Sequence, residues 1–342
     1  MKILLHSIQK NHYIYEGLRD NNSVSGLVSY LPQVIRKGYG DLADTYDSNT
    51  LLDALDDFDL IVFSARSFYD PNFQKILNHK SSSLKVFFDV EDDFLVRNIH
   101  KDNNISYYFK RELFTNLPTF YTLKWYLRHL YGSQILPPIH RKIGIPKNLL
   151  QSLPYKIASA NKIDKKLRPF PLTIQPVQKF VKSPDDERKN DIFFCLSLKT
   201  IGERHQYFSY ITHWLEEEKG SLTGIVSDGG LTKETYLTGL SRSKAGISVR
   251  GMGMDTDRYW ETACYGAILF SQRVPILIED NFVDGESAIF INNPDDLRNK
   301  FRKLVVQSDE WKEIAKKGQK LFMDKHVPVK RIQHSILDVI KI

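Results

Sequence analysis

Cysteine and long apolar stretches are what this sequence has least of. Cys195 and Cys264 are the only cysteines in 342 residues, and each sits inside an apolar segment far from the other. We predict two buried free thiols in a reducing compartment and no disulfide. No apolar run approaches the roughly 18 residues that a membrane-spanning helix needs. These shortages argue against a disulfide-stabilised secreted domain and against a helical membrane protein.

The start of the sequence also lacks the features of a signal peptide. The segment MKILLHSIQKNH has neither a long apolar core nor a small-residue cleavage site, and we predict a first β-strand there. The apolar content of 42% and charged content of 26% are typical of a folded protein, which we expect to be cytoplasmic. A net charge of +7 and a pI near 9.1 favour anionic partners. Nucleotides, anionic lipid surfaces and, less specifically, nucleic acid belong to that class.

Strand and helix signals alternate along the chain in two blocks. KILLHS, DLIVFSA and LKVFFDV form the first block, and the second runs from DIFFCLS to AILFS, after the polar linker candidate KSPDDERKND. The pattern predicts an α/β fold with two doubly wound, Rossmann-like domains facing a cleft. At roughly 150 residues per domain, the length also fits two domains. We place the domains at residues 1–182 and 183–325, with a closing C-terminal helix at 326–342.

A glycine-rich loop leads into a short helix within RGMGMDTDRYWETACYG, residues 250–266. Gly251 and Gly253 allow positive φ and a close approach of the backbone to a ligand. Thr256 or Asp257 can cap the helix that follows. The amides and the positive dipole end of such a helix suit a phosphate group. The spacing is neither GxGxxG nor a Walker loop, so an ordinary tight turn is the alternative.

The helix predicted after this loop has two unequal faces at 100° per residue. The face that we expect to pack on a sheet carries Tyr259, Trp260, Ala263 and Cys264. The opposite face carries Arg258, Glu261, Thr262 and Tyr265. Arg258 suits a diphosphate as a bidentate donor, and Glu261 suits ribose hydroxyls as an acceptor. The alternative is a surface ion pair three residues apart.

Two long segments identify a family likeness. GMGMDTDRYWETACYGAILFSQ and then DGESAIFINNPDDLRNKFRKLV resemble the C-terminal donor domain of group 1 glycosyltransferases with the GT-B fold. The nearest likeness is to the spore-maturation-protein-type branch. The terminal segment KHVPVKRIQHSILDVI also resembles the closing helix of that branch. FFDVEDDF with YYFKREL is similar to the partner domain. The resemblance covers most of residues 185–342 and, more thinly, residues 84–114. It implies a nucleotide-sugar donor on the C-terminal half and an acceptor on the N-terminal half.

The resemblance assigns roles to residues of the 250–266 segment. Glu261 matches the family's ribose-contacting glutamate, and Arg258 matches the arginine that faces the donor phosphates. Gly251, Gly253 and Asp255 match the loop beside the donor sugar.

One position departs from the family pattern. Many retaining members carry a second glutamate eight positions before the first, where this sequence has Gly253. Asp255 or Asp257 is the candidate replacement. Retention or inversion of the anomeric configuration is therefore open.

Glycosyl transfer from a nucleotide sugar needs cations at the leaving diphosphate and, for inversion, a base at the acceptor. Lys199 and Arg204 are phosphate-binding candidates, with a solvated loop and a charge at a helix start as the alternative. Asp89 and Asp92, in the acidic run that includes Glu91, are candidates for the base. A metal-binding cluster and a solvated helix cap are the alternatives for that run. Because GT-B enzymes usually act without a bound metal, the resemblance implies no metal and no cofactor beyond the donor.

Residues 120–147 mix aromatic and basic side chains. Such a helix suits either an anionic membrane surface, as a lipid-linked acceptor would require, or a core position with a basic flank. We expect the acceptor to be a glycan, a lipid-linked saccharide or a protein. Nucleic acid is not expected, because no helix-turn-helix, zinc or RNA-binding motif accompanies the scattered basic residues. A binding module of the same fold without turnover is the alternative function.

Overall fold

The chain divides into two compact units. One contains residues 1–171 and 275–278, and the other contains residues 172–274 and 279–342. The computed structural model describes residues 2–5, 11–16, 46–47, 55–64, 72–89, 95–97, 102–111, 113, 155–157, 167–172, 174–198, 202–251, 255–274, 276–332 and 334. The chain passes from the first unit to the second between residues 171 and 172, whereas the predicted boundary was between residues 182 and 183.

The first unit is built on a seven-stranded sheet in the order β3-β2-β1-β4-β5-β7-β9. Its strands are β1 (Lys2–Leu5), β2 (Asn11–Glu16), β3 (Tyr46–Asp47), β4 (Leu60–Ser64), β5 (Leu84–Asp89), β7 (Tyr107–Lys110) and β9 (Leu167–Pro169). β6 (Leu95–Arg97) pairs with β8 (Tyr155–Ile157) in a separate antiparallel ribbon. Strands β1, β4, β5, β7 and β9 are parallel to one another. Strands β2 and β3 add an antiparallel edge beside β1. The strand–helix alternation did not predict this antiparallel edge.

Aromatic side chains fill the core of the first unit. Helix α1 (Phe73–Asn78) buries Phe73 edge-on against Phe63 of β4, with ring centroids 5.3 Å apart. Phe87 of β5 stacks on Tyr108 of β7 at 5.2 Å. The apolar runs LIVF in β4 and VFF in β5 are typical of parallel strands buried on both faces.

The second unit has a five-stranded parallel sheet in the order β11-β10-β12-β13-β14. The strands are β10 (Asn190–Cys195), β11 (Gly224–Ser227), β12 (Ser243–Ser248), β13 (Ile268–Gln272) and β14 (Ile289–Ile291). The helices are α2 (Gly202–Glu217), α3 (Lys233–Ser241), α4 (Asp257–Cys264), α5 (Pro294–Phe301), α6 (Glu310–Leu321) and α7 (Pro328–Ile332). The predicted α/β fold class with two Rossmann-like sheets is confirmed. Their arrangement across a cleft stays a prediction.

Residues 182–191, predicted as a linker with little to bury, belong to the second unit and are mostly exposed, but they bury Pro184 and Arg188. The Arg188 guanidinium is buried and donates to the carbonyl oxygens of Ser241 at 2.6 Å and Gly266 at 2.9 Å. Gly266 has φ of +75°, a conformation that favours glycine. A buried guanidinium bound to backbone oxygens anchors this segment to the turn after α4, which the linker interpretation did not predict.

Both cysteines are buried and free, as predicted. In the described part of the chain, no helix has both the length and the apolar character needed to cross a membrane.

Candidate functional site

The strand order places a switch point in the second sheet at β10. The chain runs from β10 to β11, on one side of β10 in the sheet, and then crosses back to β12, on the other side of β10. In open α/β sheets, ligands bind outside the carboxyl ends of the strands where the order reverses. Here those ends are Cys195 and Ser248, and the loop after β12 leads through Gly251 into α4. The sheet order therefore selects the same loop as the sequence motif did.

Arg204, on the first turn of α2, lies buried beside this loop. Its Nε donates to the carbonyl oxygen of Arg250 and its Nη1 to that of Ser197, each at 3.0 Å. A Cβ added to Gly251 would collide with Nη2 of Arg204. Gly251 does not adopt the positive φ expected from the sequence. The glycine is needed instead because it lets a guanidinium approach the backbone closely.

A second guanidinium, that of Arg258, lies next to the first. Its Nη1 donates to the carbonyl oxygen of Cys195 at the end of β10, and its Nε is buried without a hydrogen-bond partner among the described residues. Burial, and then the nearby Arg258, lower the pKa of Arg204 to about 10. Every hydrogen bond that the described residues accept from these two guanidinia ends on a carbonyl oxygen. Carbonyl oxygens carry no formal charge, so the paired cations favour an anion.

The start of α4 adds a helix dipole to this positive region. Thr256 occupies the N-cap position, but its hydroxyl bonds Ser248 Oγ at 3.0 Å and caps no backbone amide. Of the two predicted candidates, Thr256 occupies the capping position, but its side chain does not form the cap. Thr256 therefore leaves the first-turn amides of α4 uncapped, and the same turn also carries the Asp257 carboxylate.

Glu261 lies one turn further along α4. Its Oε2 accepts a hydrogen bond from the Tyr236 hydroxyl of α3 at 2.8 Å. Burial, and then the neighbouring Asp257, raise the pKa of Glu261 to about 7, against the opposing effects of Tyr236 and Arg258. The carboxyl group is therefore close to half-ionised at neutral pH.

The two faces of α4 are less distinct than the sequence pattern predicted. Tyr259, Trp260, Ala263 and Cys264 are buried, as expected. Thr262 and Tyr265 are also buried, which the helical wheel did not predict. A Cβ on Gly246 would lie 2.6 Å from Thr262, so β12 and α4 approach too closely for Thr262 to face solvent.

Asp255 takes part in a buried polar network. It is 0% exposed, and its Oδ2 accepts from the Leu172 amide at 2.7 Å and from Trp260 Nε1 at 3.2 Å. The Arg331 guanidinium lies 4.0 Å from the centre of the Trp260 ring and donates to the Leu172 carbonyl oxygen. Burial lowers the pKa of Arg331 to about 9, and the Asp255 carboxylate opposes this. The placement supports a structural role for Asp255, and its catalytic role stays a prediction.

His326 completes this network. Its Nδ1 accepts from Nε of Arg331 at 3.2 Å, and its Nε2 lies 2.7 Å from the Asp280 carbonyl oxygen. Burial and the Arg331 charge lower the pKa of His326 to about 3, so the ring is neutral at physiological pH. The closing segment noted in the sequence thus brings a histidine and an arginine into direct contact.

Asp89 of the first unit is also fully buried. Lys110 Nζ lies 3.3 Å from its Oδ1, and the Tyr108 hydroxyl donates to its Oδ2. These contacts hold the carboxylate in the core of the first unit. Its role as the acceptor-side base stays a prediction.

Several sequence-based expectations fall outside the described residues, including those for Glu91 and for residues 335–342 of the predicted closing helix. They also concern Asp92, Lys199, Gly253 and the aromatic, basic segment at 120–147. Within the described residues, no group of three or more His, Cys, Asp or Glu side chains is arranged to hold a metal ion. The structure brings together Arg204, Gly251, Arg258 and Glu261 of the predicted set.

The sequence did not indicate Tyr236. The segment KETYLTGLSRS predicts a helix, but its pattern does not predict a hydrogen bond to a glutamate 25 positions later. The order of β10, β11 and β12 brings α3 beside α4, and that order is not a local property of the sequence.

These features define the second unit as a doubly wound α/β domain with an anion-suited site at its switch point. Residues 188–336 of this unit match the family model described as glycosyl transferase-like. The match is a similarity to the kind of family that the sequence motifs resemble, and it covers less than half of the 342 residues. No curated protein gives a significant match to the sequence.

Solved structures of other proteins resemble the chain distantly. The GtfA/B complex is 9% identical with a TM-score of 0.49, over 89% of this chain and 62% of that one. The pneumococcal O-GlcNAc transferase GtfA, in complex with UDP and GlcNAc, is 8% identical with a TM-score of 0.48, over 87% and 61%. A glycosyltransferase from Rickettsia africae is 9% identical with a TM-score of 0.47, over 95% and 83%. The chain thus spans about three fifths of the length of the first two proteins.

Proposed function

We propose that the protein is a glycosyltransferase that moves a sugar from a nucleotide donor to a glycan, a lipid-linked saccharide or a protein. The observation that carries this proposal is the pair of guanidinia, Arg204 and Arg258, beside the start of α4 at the switch point. The family match over residues 188–336 supports it. Membership of the spore-maturation-protein-type branch is part of the same proposal and rests on the sequence motifs.

The proposed chemistry uses the two guanidinia at the leaving group. Negative charge grows on the departing diphosphate as the glycosidic bond breaks, and fixed cations in a partly buried site stabilise that charge. Arg258 and Arg204 supply two positive charges there without rearrangement. Glu261 accepts a hydrogen bond from a hydroxyl of the bound nucleotide. We propose that the reaction needs no metal, because these side chains provide the positive charge that the leaving group requires.

The cellular setting is also a proposal. The charge of +7 suits a cytoplasmic protein that meets anionic ligands, and residues 120–147 are the segment proposed to contact an anionic membrane. We propose no nucleic-acid partner. An absence of salt-dependent oligonucleotide binding is the expected result.

Calorimetric titration with a panel of nucleoside diphosphates tests the donor site. We expect the wild type to bind at least one of them, and Arg258→Ala to weaken that binding by about tenfold to a hundredfold, as for loss of a charged hydrogen bond. Arg273→Ala is the matched control, because that arginine is exposed and pairs with Asp284 at 2.7 Å. Wild-type protein that binds none of the panel would contradict the proposal.

A binding module without turnover is the second candidate. The observation that favours it is the burial of Asp89 and Asp255, two of the three predicted catalytic carboxylates, both of which are hydrogen-bonded. Donor hydrolysis and transfer, followed with a panel of nucleotide sugars, separate the two candidates. Nucleotide binding with no turnover of any donor would support the module.

A further inference from the structure

Tyr236 is held rigidly at the edge of the candidate site. Its ring packs edge-on against the buried Phe193, with centroids 5.1 Å apart and planes at 82°. One turn later on α3, a Cβ on Gly239 would lie 2.7 Å from the Phe193 ring. The glycine lets Phe193 fit closely against the helix, and Phe193 in turn fixes the direction of the Tyr236 hydroxyl.

The hydroxyl of Tyr236 is directed at one oxygen of Glu261. The Tyr236 hydroxyl lies 2.8 Å from Oε2 of Glu261. The hydrogen bond from the described residues is therefore made to Oε2. A carboxylate has about four acceptor positions on its two oxygens, so Oε1 keeps its capacity to accept. The phenol thereby fixes the rotation of the carboxyl group as well as its position.

We propose that Tyr236 is a positioning residue that holds Oε2 of Glu261 so that Oε1 accepts from a ligand hydroxyl, which makes the site prefer ribose over 2′-deoxyribose. This inference rests on the proposed function, because it assumes that a nucleotide occupies the site. It adds a discriminating residue from α3, outside the segment 250–266 that the sequence identified.

The electrostatics of the pair agree with this geometry. Burial raises the pKa of Tyr236 well above its usual value, so the phenol stays protonated and donates throughout the physiological range. The hydrogen bond in turn favours the ionised form of Glu261. The other titratable groups that influence the pair come from three elements: Asp257, Arg258 and Cys264 of α4 with the adjoining Tyr265, Lys233 of α3, and Cys195 of β10.

The test compares affinities for a nucleoside diphosphate and for its 2′-deoxy counterpart. In the wild type we expect the ribonucleotide to bind about tenfold more tightly, because the deoxy ligand leaves a polar acceptor unpaired. In Tyr236→Phe we expect this preference to fall to about threefold or less, since the carboxyl group is no longer held in one rotation. The change spares the aromatic packing, and circular dichroism checks that the variant folds.

Tyr210→Phe is the matched control. The Tyr210 hydroxyl donates to Asp295 at 2.6 Å in an exposed position, so this variant also loses one tyrosine–carboxylate hydrogen bond. We expect it to keep the full ribose preference. A folded Tyr236→Phe protein with an unchanged preference would overturn the inference.

A measurement on the ligand-free protein separates this inference from the proposed function. In carboxyl-labelled NMR titrations, Tyr236→Phe should raise the pKa of Glu261, because the bond that favours the ionised form is lost. If the wild type binds no nucleotide, the proposed function fails and the ribose preference fails with it. An unchanged Glu261 titration would overturn the positioning role independently of nucleotide binding.

Discussion

Replacing Glu261 by glutamine should stabilise the protein above neutral pH while weakening nucleotide binding. Burial and Asp257 raise the pKa of Glu261 from 4.5 to about 7. The folded state therefore binds this proton more tightly than the unfolded chain does. The stabilisation of the folded state by the protonated Glu261 carboxyl group is fully present below about pH 4.5. It is lost as the pH rises through about 7.

The magnitude follows from the size of this shift. Each pKa unit corresponds to 1.36 kcal/mol, so the shift from 4.5 to about 7 sets an upper limit of about 3 kcal/mol. Glu261 is half-buried, and solvent screening reduces the expected effect to about 1–2 kcal/mol. Glutamine has nearly the same shape, and its carbonyl oxygen still accepts from Tyr236, so the main change is the loss of the charge.

Urea unfolding at about pH 5, 7 and 8.5 measures the effect. We expect Glu261→Gln to be more stable than the wild type at pH 8.5, with the difference shrinking toward pH 5. Glu216→Gln, at an exposed position on α2, is the control and should show no such trend. A pH-independent difference, or a variant that is less stable at pH 8.5, would refute the reasoning. A stable variant with weakened nucleotide affinity would mark Glu261 as a residue kept for function at the expense of stability.

Two further predictions concern the loop before α4. Gly251→Ala should weaken nucleoside diphosphate binding by about tenfold, because the new methyl group displaces the guanidinium of Arg204; calorimetry and thermal unfolding measure the two effects separately. Asp255→Asn should lower the free energy of unfolding by about 3 kcal/mol, because it leaves the buried Arg331 without its opposing charge. The exposed Asp295→Asn is the control, and equal losses in the two variants would contradict the second prediction.

Local patterns in the sequence predicted much of the second unit. β10, β12 and α4 lie where apolar runs and the loop motif indicated, because each is specified by a short segment with its own turn signals. The interpretation of Trp260 and Cys264 as the packed side of α4 is confirmed for the same reason.

Contacts distant in sequence account for what the patterns missed. The polar segment 182–191 was read as a linker because its composition is charged. Arg188 is nevertheless buried, with backbone oxygens from three separate segments as its acceptors. In the same way, the burial of Asp255 depends on Leu172, a partner 83 positions away, and its predicted place beside the donor sugar stays a prediction. Neither the backbone oxygens that bind Arg188 nor the Leu172 amide that binds Asp255 can be identified from the neighbouring sequence alone.

The two hydrogen bonds at Leu172 have a consequence for where the chain can be cut. Leu172 is the first residue of the second unit, and its amide and carbonyl group bind Asp255 and Arg331, from the loop before α4 and from α7. A fragment that begins at residue 188, where the family match starts, would remove an acceptor from a buried guanidinium and a donor from a buried carboxylate. The smallest autonomous piece of this half should therefore begin at or before Leu172 and extend past Arg331.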